Sequence, residues 1–363
     1  MLVLTPRDHY GLLSFEEGVD RMRTAYEEEA RSKVKLSNPR TRTNTPEGFR
    51  MVVHQGVSPS IGGATTAVRA EKVVIQEDGI QKYIGRGRPV FVLYDTETAE
   101  LLMLMIGEPK PHGYDQVHAM AGFHTACCAA YGTDLIAAPS AKRVGVIGSG
   151  GQARYHLGAL ASIRDIEEVF VFSPNRLHRE HFAMEMAELL GVAVRSVDST
   201  EEVVKSADLL LVCTNSNVPV LDGKLLKPGT HVTSIVSSNK ELLQAGLVKK
   251  MRQEVDDDTL RRAGLIVTTS KVQEELDETE VLWGTSQRGV VDWAKVMTVA
   301  DVITKDASLA EVHEKKEITF FKNAGGWGIG AGAFFRGYYD KAIEAGIGTV
   351  LEDLEGLEVT YGF

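Results

Sequence analysis

The sequence predicts an α/β chain built on a doubly wound parallel sheet, and three observations carry that expectation. Short apolar runs at 143–147, 168–172, 208–213 and 230–236 alternate with helical stretches at about 151–162, 176–190 and 240–252. This is the texture of parallel strands covered by helices on both faces. The first run breaks into Gly148, Gly150 and Gly151 just before a helical stretch. The chain has 363 residues, more than the roughly 250–300 at which a single core stops growing, so a second domain is expected.

Other elements follow in chain order. Ser14 and Glu17 make an S-x-x-E capping pair, and Val19, Met22 and Tyr26 then recur at helical spacing, so an amphipathic helix is expected there. Residues 31–66 are polar and rich in Pro and Gly, which reads as loops between short strands. Residues 88–107 read as two apolar strands around a polar turn at 95–100. The small, apolar stretch 117–131, ending near Gly132, reads as a buried helix linking two domains. The acidic stretch 254–288 reads as a solvated face. The tail at 318–346 combines a glycine cluster with an apolar helix.

Composition excludes several functions. Net charge is −10, and no Lys/Arg stripe appears, which argues against a nucleic-acid surface. No apolar run reaches the ~18 residues of a membrane span, and the N-terminus lacks a signal-peptide pattern. Cys127, Cys128 and Cys213 show no C-x-x-C spacing, which fits a reducing cytoplasm. His, Cys and acidic residues show no metal-ligand spacing, so no metal is expected.

The glycine loop carries the first chemistry. Gly148, Gly150 and Ala153 fit G-x-G-x-x-G/A directly after a strand. The first glycine permits the tight turn, the second lets a pyrophosphate approach the backbone, and Ala153 lets helix pack on strand. The amides of Gly150, Gly151 and Gln152 then face the phosphates at a helix N-terminus, with Ser149 between the glycines. The pattern predicts a Rossmann-like dinucleotide domain. Sites that prefer NAD carry an acid roughly 20 residues on, to hold the ribose 2′-hydroxyl. Here the second strand ends in Ser173, Asn175 and Arg176. A hydroxyl, an amide and a guanidinium suit a 2′-phosphate, so NADP(H) is expected over NAD(H). Cys213, Thr214, Asn215 and Ser216 follow an apolar strand and are expected to line the nicotinamide side.

The order of elements resembles the ornithine cyclodeaminase/μ-crystallin family. The likeness rests on the capped N-terminal helix, "VFVLYDTETAELLMLMIG", "HTACCAA", "VGVIGSGGQAR", "TNSNVPVL", "KPGTHVTSIVSS" and "FKNAGGWGIG". The resemblance implies a discontinuous α+β substrate and dimerisation domain from residues 1–120 and 319–363. A dinucleotide-binding Rossmann domain at 121–318, a homodimer, and hydride transfer at an amino- or imino-acid carbon complete the implication. It also brings Lys322, Asn323, Gly325 and Gly326 against the nicotinamide, with Thr125 and Ser237 as further cofactor contacts.

Three positions depart from the cyclodeaminase pattern. "AVRAEKV" puts Arg69, with Lys72 nearby, where cyclodeaminases carry a lysine. "HTAC" puts His124 where the family has its substrate-carboxylate arginine. "IVSSN" leaves Ser237, Ser238 or Asn239 where a catalytic aspartate is expected. Reduction of an imine or oxidation of an amine asks less of such a site than ornithine cyclisation does. The expectation is therefore an NAD(P)H-dependent oxidoreductase acting on an amino/imino acid or related imine. A cyclodeaminase, or a non-catalytic ligand-binding protein, is the alternative. The candidate catalytic residues are Arg69, Lys72 and His124; Arg42 (with Arg40 as register alternative), Arg69, His124 and Ser237 are candidates for substrate binding. Lys110, His112, Tyr114, Asp115 and His118, in the loop 107–118, are candidates for the cleft wall.

Overall fold

The structure, a computed structural model, describes residues 1–31, 40–76, 81–117, 122–305, 308–324, 328 and 330–351. The N-terminal part supplies β1 (Leu2–Leu4), β2 (Thr41–Asn44), β3 (Phe49–Ser58), β4 (Gly63–Ile75), β5 (Gln81–Arg86), β6 (Val90–Tyr94) and β7 (Leu101–Ile106). The central part supplies β8 (Arg143–Ile147), β9 (Glu168–Phe172), β10 (Ala193–Ser196), β11 (Leu209–Val212), β12 (His231–Ser234), β13 (Ala263–Thr268), β14 (Met297–Thr298) and β15 (Ile318–Lys322), and β16 (Thr349–Val350) follows. One eight-stranded sheet is mixed, in the order β16-β1-β7-β6-β4-β3-β2 with β5 on β4. The other runs β10-β9-β8-β11-β12-β15-β13-β14, with every pairing parallel.

The parallel sheet is the doubly wound arrangement the alternation predicts. Its strand order reverses between β8 and β11, the switch point at whose carboxyl edge ligands bind in such sheets. β11 and β12 are buried at every position, as strands covered on both faces must be. The expected boundary at 318/319 falls at the start of β15. That strand pairs with β12 and β13, so the chain leaves the parallel sheet only after Lys322. Helix Ala331–Ala345 then packs on β3 and β4 of the mixed sheet.

The N-terminal helix, Phe15–Ala30, starts where the capping pair places it. Ser14 Oγ accepts from Glu17 N, and Ser14 N donates back to Glu17 Oε2. The hairpin β6–β7 turns on Asp95, whose Oδ1 accepts from the amides of Glu97 and Thr98. The buried helix runs Gly122–Ile136, and Gly132 lies so close to Phe321 that a Cβ there would stand 2.4 Å from the ring.

Three expectations change. The short strands foreseen between loops in 31–66 are longer than expected: β3 has 10 residues, and β4, which begins at Gly63 and runs on to Ile75, has 13. The inward positions of β3 are Arg50, Val52, His54, Gly56 and Ser58; Val52 is the one large apolar side chain among them, so the alternation of polar and apolar residues is weak although alternation of burial is kept. The helix expected at 240–252 stops at Gln244, and Gly246 then turns left-handed at φ 70°. Finally, 254–288 is not one solvated face: Glu254, Glu274 and Asp277 are buried within it, and β13 crosses it. Among the described residues no helix is long and apolar enough to cross a membrane.

Burial of neutral histidines predicts acid sensitivity. His231 sits in β12 between Thr319 Oγ1 at 2.7 Å and Thr233 Oγ1 at 2.9 Å. Burial, then Arg164 and His313, push its pKa down to about 3; burial likewise brings His156 down to about 4. Below the ordinary value of 6.5 the unfolded chain binds protons that the folded chain does not. Stability therefore falls as pH drops from 6.5 towards 4 and 3. Each histidine contributes ~1.4 kcal/mol per pH unit in that window. Urea midpoints measured from pH 7 to 5 should show this slope, and His231→Asn should flatten it.

Candidate active site

The glycine loop joins β8 to helix Gly151–Ala161. Gly148 has φ 112°, and a Cβ on it would lie 2.4 Å from the Cys213 carbonyl at the end of β11, so only glycine fits the turn. Gly150 caps the helix, and a Cβ there would meet nothing within 4 Å. Ala153, by contrast, is fully buried within the first turn of the helix. Open space over Gly150 at a helix start, where the first amides have no partner within the helix, is a cradle that a diphosphate fits. Ser149 Oγ meets Ser173 Oγ at 2.7 Å, so the loop touches the end of β9.

At that end, Asn175 accepts from His178 N and caps helix Arg176–Leu190. Arg176 is exposed and ion-paired with Glu180 at 2.7 Å. Sequence reasoning missed Arg179. Its buried guanidinium donates to Ser173 O at 3.1 Å and to Asp198 Oδ1 at 2.6 Å.

Cys213 is buried, Thr214 half-buried and Asn215 exposed at the end of β11, and Ser237 is half-buried beyond β12. Glu254, also missed, ties these ends together: its carboxylate accepts from Thr214 and from the segment Ser234–Val236. Asn323 donates to Thr125 O at 3.0 Å, and its backbone N–H bonds Ser234 O. Lys322 is fully buried, donates to Asn323 O at 3.1 Å and lies within electrostatic reach of Glu254 and Glu274. Gly325 and Gly326 lie outside the described residues.

Between the two sheets lies a buried cluster of guanidiniums and carboxylates. Arg40 and Arg42 both pair with Asp277, the latter at 2.8 Å, and Arg42 also reaches Glu241 at 3.3 Å. Arg40 also donates its amide to Gln273 Oε1 at 2.6 Å and its Nη1 to Ala324 O at 3.4 Å, beside the end of β15. On β4 and β3, Arg69 Nε donates to Glu71 at 3.0 Å, and Arg50 stands 3.8 Å from the same carboxylate. Burial alone would raise the Asp277 carboxyl; Arg40 and Arg42 overcome it and hold it below the usual range. His54 and His124 complete the cluster. Burial, then the charge of Arg69, pushes both well below the ordinary imidazole value, so both are neutral at physiological pH. His124 Nε2 lies 3.1 Å from Thr125 Oγ1.

The structure thus brings Arg42, Arg69 and His124 into one neighbourhood. Lys72 points elsewhere, its Nζ bonded to Glu47 O at 2.5 Å. Ser238 and Asn239 serve their own loop, accepting from Lys240 N and Arg252 N. In the loop 107–117, Lys110 bonds Asp115 O, and Tyr114 packs edge-on against Phe15; His118 lies outside the described residues. Among the described residues no cluster of His, Cys, Asp or Glu has metal-holding geometry. Missed entirely were Asp277 and Glu241, which neutralise Arg40 and Arg42. Helix Lys271–Asp277 buries Gln273, Glu274 and Asp277 while exposing Val272 and Leu276, the reverse of ordinary amphipathicity.

A doubly wound sheet with a glycine cradle, facing a mixed sheet across buried arginines and their carboxylate partners, defines the class as a nicotinamide-dinucleotide oxidoreductase fold. The chain belongs to the ornithine cyclodeaminase/mu-crystallin family, whose sequence model matches residues 12–345. It is 25% identical over 358 residues to a Delta(1)-pyrroline-2-carboxylate reductase of Bacillus cereus, covering 97% of this chain and 100% of the relative. The Thermococcus litoralis Delta(1)-pyrroline-2-carboxylate reductase, solved with NADH and L-proline, superposes with a TM-score of 0.76 at 25% identity, covering 97% of this chain and 100% of that one. The ketimine reductase mu-crystallin of Mus musculus is 25% identical over 212 residues, 58% of this chain and 60% of its own.

Proposed function

We propose that this chain reduces the C=N bond of a small imino acid bearing one carboxylate. Its family and relatives make it an NAD(P)-dependent oxidoreductase acting on C–N bonds. One observation carries the finer reading. Among the described residues, the buried cluster sets Arg40, Arg42, Arg50 and Arg69 against Glu71, Glu241 and Asp277. Four guanidiniums face three carboxylates, and His54 and His124 are neutral. A charge in such a place needs a counter-charge, so the cluster suits a ligand with a single negative group. L-proline, held by the Thermococcus relative, is a cyclic amino acid with one carboxylate.

The dinucleotide, when bound, supplies a hydride. Gly148, Ser149, Gly150, Gly151, Gln152 and Ala153 hold its diphosphate, with Thr125, Cys213, Thr214, Asn215, Ser237, Lys322 and Asn323 towards its other end. Arg69, supported by Glu71, takes the substrate carboxylate, and Arg42 stands beside it. His124 offers a neutral imidazole to orient the imine. A protonated imine brings its own proton on nitrogen, so hydride addition to carbon balances the reaction without an acid from the chain. The test is absorbance of NADPH or NADH in the presence of Δ1-pyrroline-2-carboxylate and its six-membered homologue. Consumption is expected. No consumption with either, together with ammonia release from ornithine and NAD+, would overturn the reading in favour of a cyclodeaminase.

We assign NADP(H) as the preferred nucleotide, on Ser173, Asn175 and Arg176 at the end of β9. Arg176 is exposed and paired with Glu180, an ion pair that costs little to exchange. Arg176→Ala should weaken NADPH roughly tenfold or more, as loss of a charge-assisted contact does, and leave NADH unchanged. Equal losses for both nucleotides in calorimetry would remove the assignment.

A homodimer goes with this reading. Large apolar side chains stand on the outside of the mixed sheet: Phe49, Met51 and Val57 on β3, Val74 on β4 and Ile84 on β5 are all exposed, with Gln55, Lys82 and Arg86 among them. Clustered exposed apolar side chains mark association sites. Light scattering should give twice the chain mass of 39.6 kDa, and Met51→Glu should halve it. Buried free thiols at Cys127, Cys128 and Cys213 fit a reducing cytoplasm.

A further inference from the structure

We propose that Glu254 is a positioning residue that fixes the nicotinamide end of the nucleotide site before any ligand arrives; the inference rests on the dinucleotide reading above. The side chain is completely buried beneath the carboxyl ends of β11 and β12. Oε2 accepts from Thr214 N and Thr214 Oγ1, each at 2.9 Å. Oε1 accepts from Ser234 Oγ at 2.8 Å and from Ile235 N and Val236 N, each at 2.9 Å. Five donors from two separate strand ends thus converge on one carboxylate.

The backbone around Glu254 repeats the attachment. Its carbonyl accepts from Val220 N and Leu221 N, Gln253 N donates to Ser216 O, and Val255 bridges Leu221. The segment is therefore zipped along the 214–221 loop while its side chain reaches across to the next strand end.

Amides at the ends of parallel strands have no further ladder partner and must otherwise be met by water or a ligand. Here a buried acid meets Thr214 and Val236 with charge-assisted bonds, which are the stronger kind, and shares the Ile235 amide with Val212 O. Both loops are thereby held in one geometry, and the ordering is complete before binding, which spares the ligand that cost. The diphosphate and adenosine side rests on Gly148–Ala153 and Ser173–Arg176, none of which Glu254 bonds among the described contacts. The two ends of the nucleotide should therefore respond differently to its loss.

Glu254→Gln keeps the shape but puts an amide donor among donors. Calorimetry on the full chain is expected to give 2′,5′-ADP affinity within twofold of the parent, NADPH affinity weakened tenfold or more, and a lower kcat with the imino acid. Ser234→Ala, which removes one of the five bonds, should shift NADPH affinity about threefold in the same direction and covers the case in which Glu254→Gln does not fold. Unchanged NADPH affinity in the folded variant would overturn the proposal. So would parallel loss of 2′,5′-ADP and NADPH, which a purely structural role produces. A parent that binds neither ligand would instead sink the dinucleotide reading, and this inference with it.

Discussion

Asp277→Ala is expected to lose about 3–5 kcal/mol of folding stability, the usual cost of removing one partner from a buried ion pair. Asp277 is buried and serves two guanidiniums at once, Arg40 through Oδ2 and Arg42 through Oδ1. Its removal leaves Arg40 with only carbonyl contact at Ala324 and Arg42 with only Glu241. Arg40 Nε and Arg42 Nε already lack a partner among the described contacts, so neither arginine has a spare acceptor to turn to. The pairs also join the two sheets: Arg40 and Arg42 flank or belong to β2, whereas Asp277 ends a helix of the dinucleotide half. Because whole domains are stable by roughly 5–15 kcal/mol, the variant should be close to unfolding. Urea denaturation measures the loss. A change under about 1 kcal/mol would mean that the pair behaves as a solvated surface bridge, and the charge count that supports the monocarboxylate reading would lose its footing.

How much of this was legible in the sequence depends on which physical signal each residue left. Strands β8, β9 and β11 announce themselves because burial on both faces leaves a near-continuous apolar run, whereas β12 buries His231, Thr233 and Ser234 beside Val232. The glycine cradle is legible because backbone geometry restricts the residue: at Gly148 nothing with a Cβ fits. The mixed sheet was harder. Its strand β3 turns Arg50 and His54 inwards, and a Cβ on Gly56 would fall 1.7 Å from the Gly328 carbonyl. Small and charged residues on the buried face weaken the hydropathy alternation from which strands are read.

The acids of the site were illegible for a related reason. A charge run ordinarily means a solvated face, and 254–288 contains more acid than the interior can hold. The structure divides the run. Asp257 and Asp258 pair with Arg288 and Arg261 near the surface, whereas Glu254, Glu274 and Asp277 go inside. What admits each acid is a set of partners distant in sequence: the donors of Thr214, Val236 and Ser234, then Lys322, for Glu254; Lys322 for Glu274; Arg40 and Arg42 for Asp277. One-dimensional spacing carries no trace of such pairing. The arginines themselves could be nominated, because a guanidinium amid apolar strands begs a counter-ion, but whether that counter-ion comes from the chain or from a ligand is decided only in three dimensions.

That distinction is what Arg69→Ala tests. The substitution should lower kcat/KM for a carboxylated cyclic imine by roughly 10- to 150-fold, the equivalent of about 1.5–3 kcal/mol for one charge-assisted contact. The uncarboxylated ring, 1-pyrroline, should be reduced at the parent's rate, since it offers nothing for a guanidinium to hold. The argument is the charge count: without Arg69, three guanidiniums face three carboxylates, and the cluster has no positive charge left for the substrate. Glu71 keeps Arg50 at 3.8 Å, so the loss should fall on substrate selection more than on folding, and a melting curve on the same sample separates the two. Arg69→Lys restores the charge without the fork that meets a carboxylate through two parallel bonds. It should recover part of the carboxylated substrate's advantage and none of the geometry behind it. If Arg69→Ala weakens both imines alike, Arg69 shapes the pocket without reading the anion, and the carboxylate must be held by Arg42 after displacing Asp277 or Glu241.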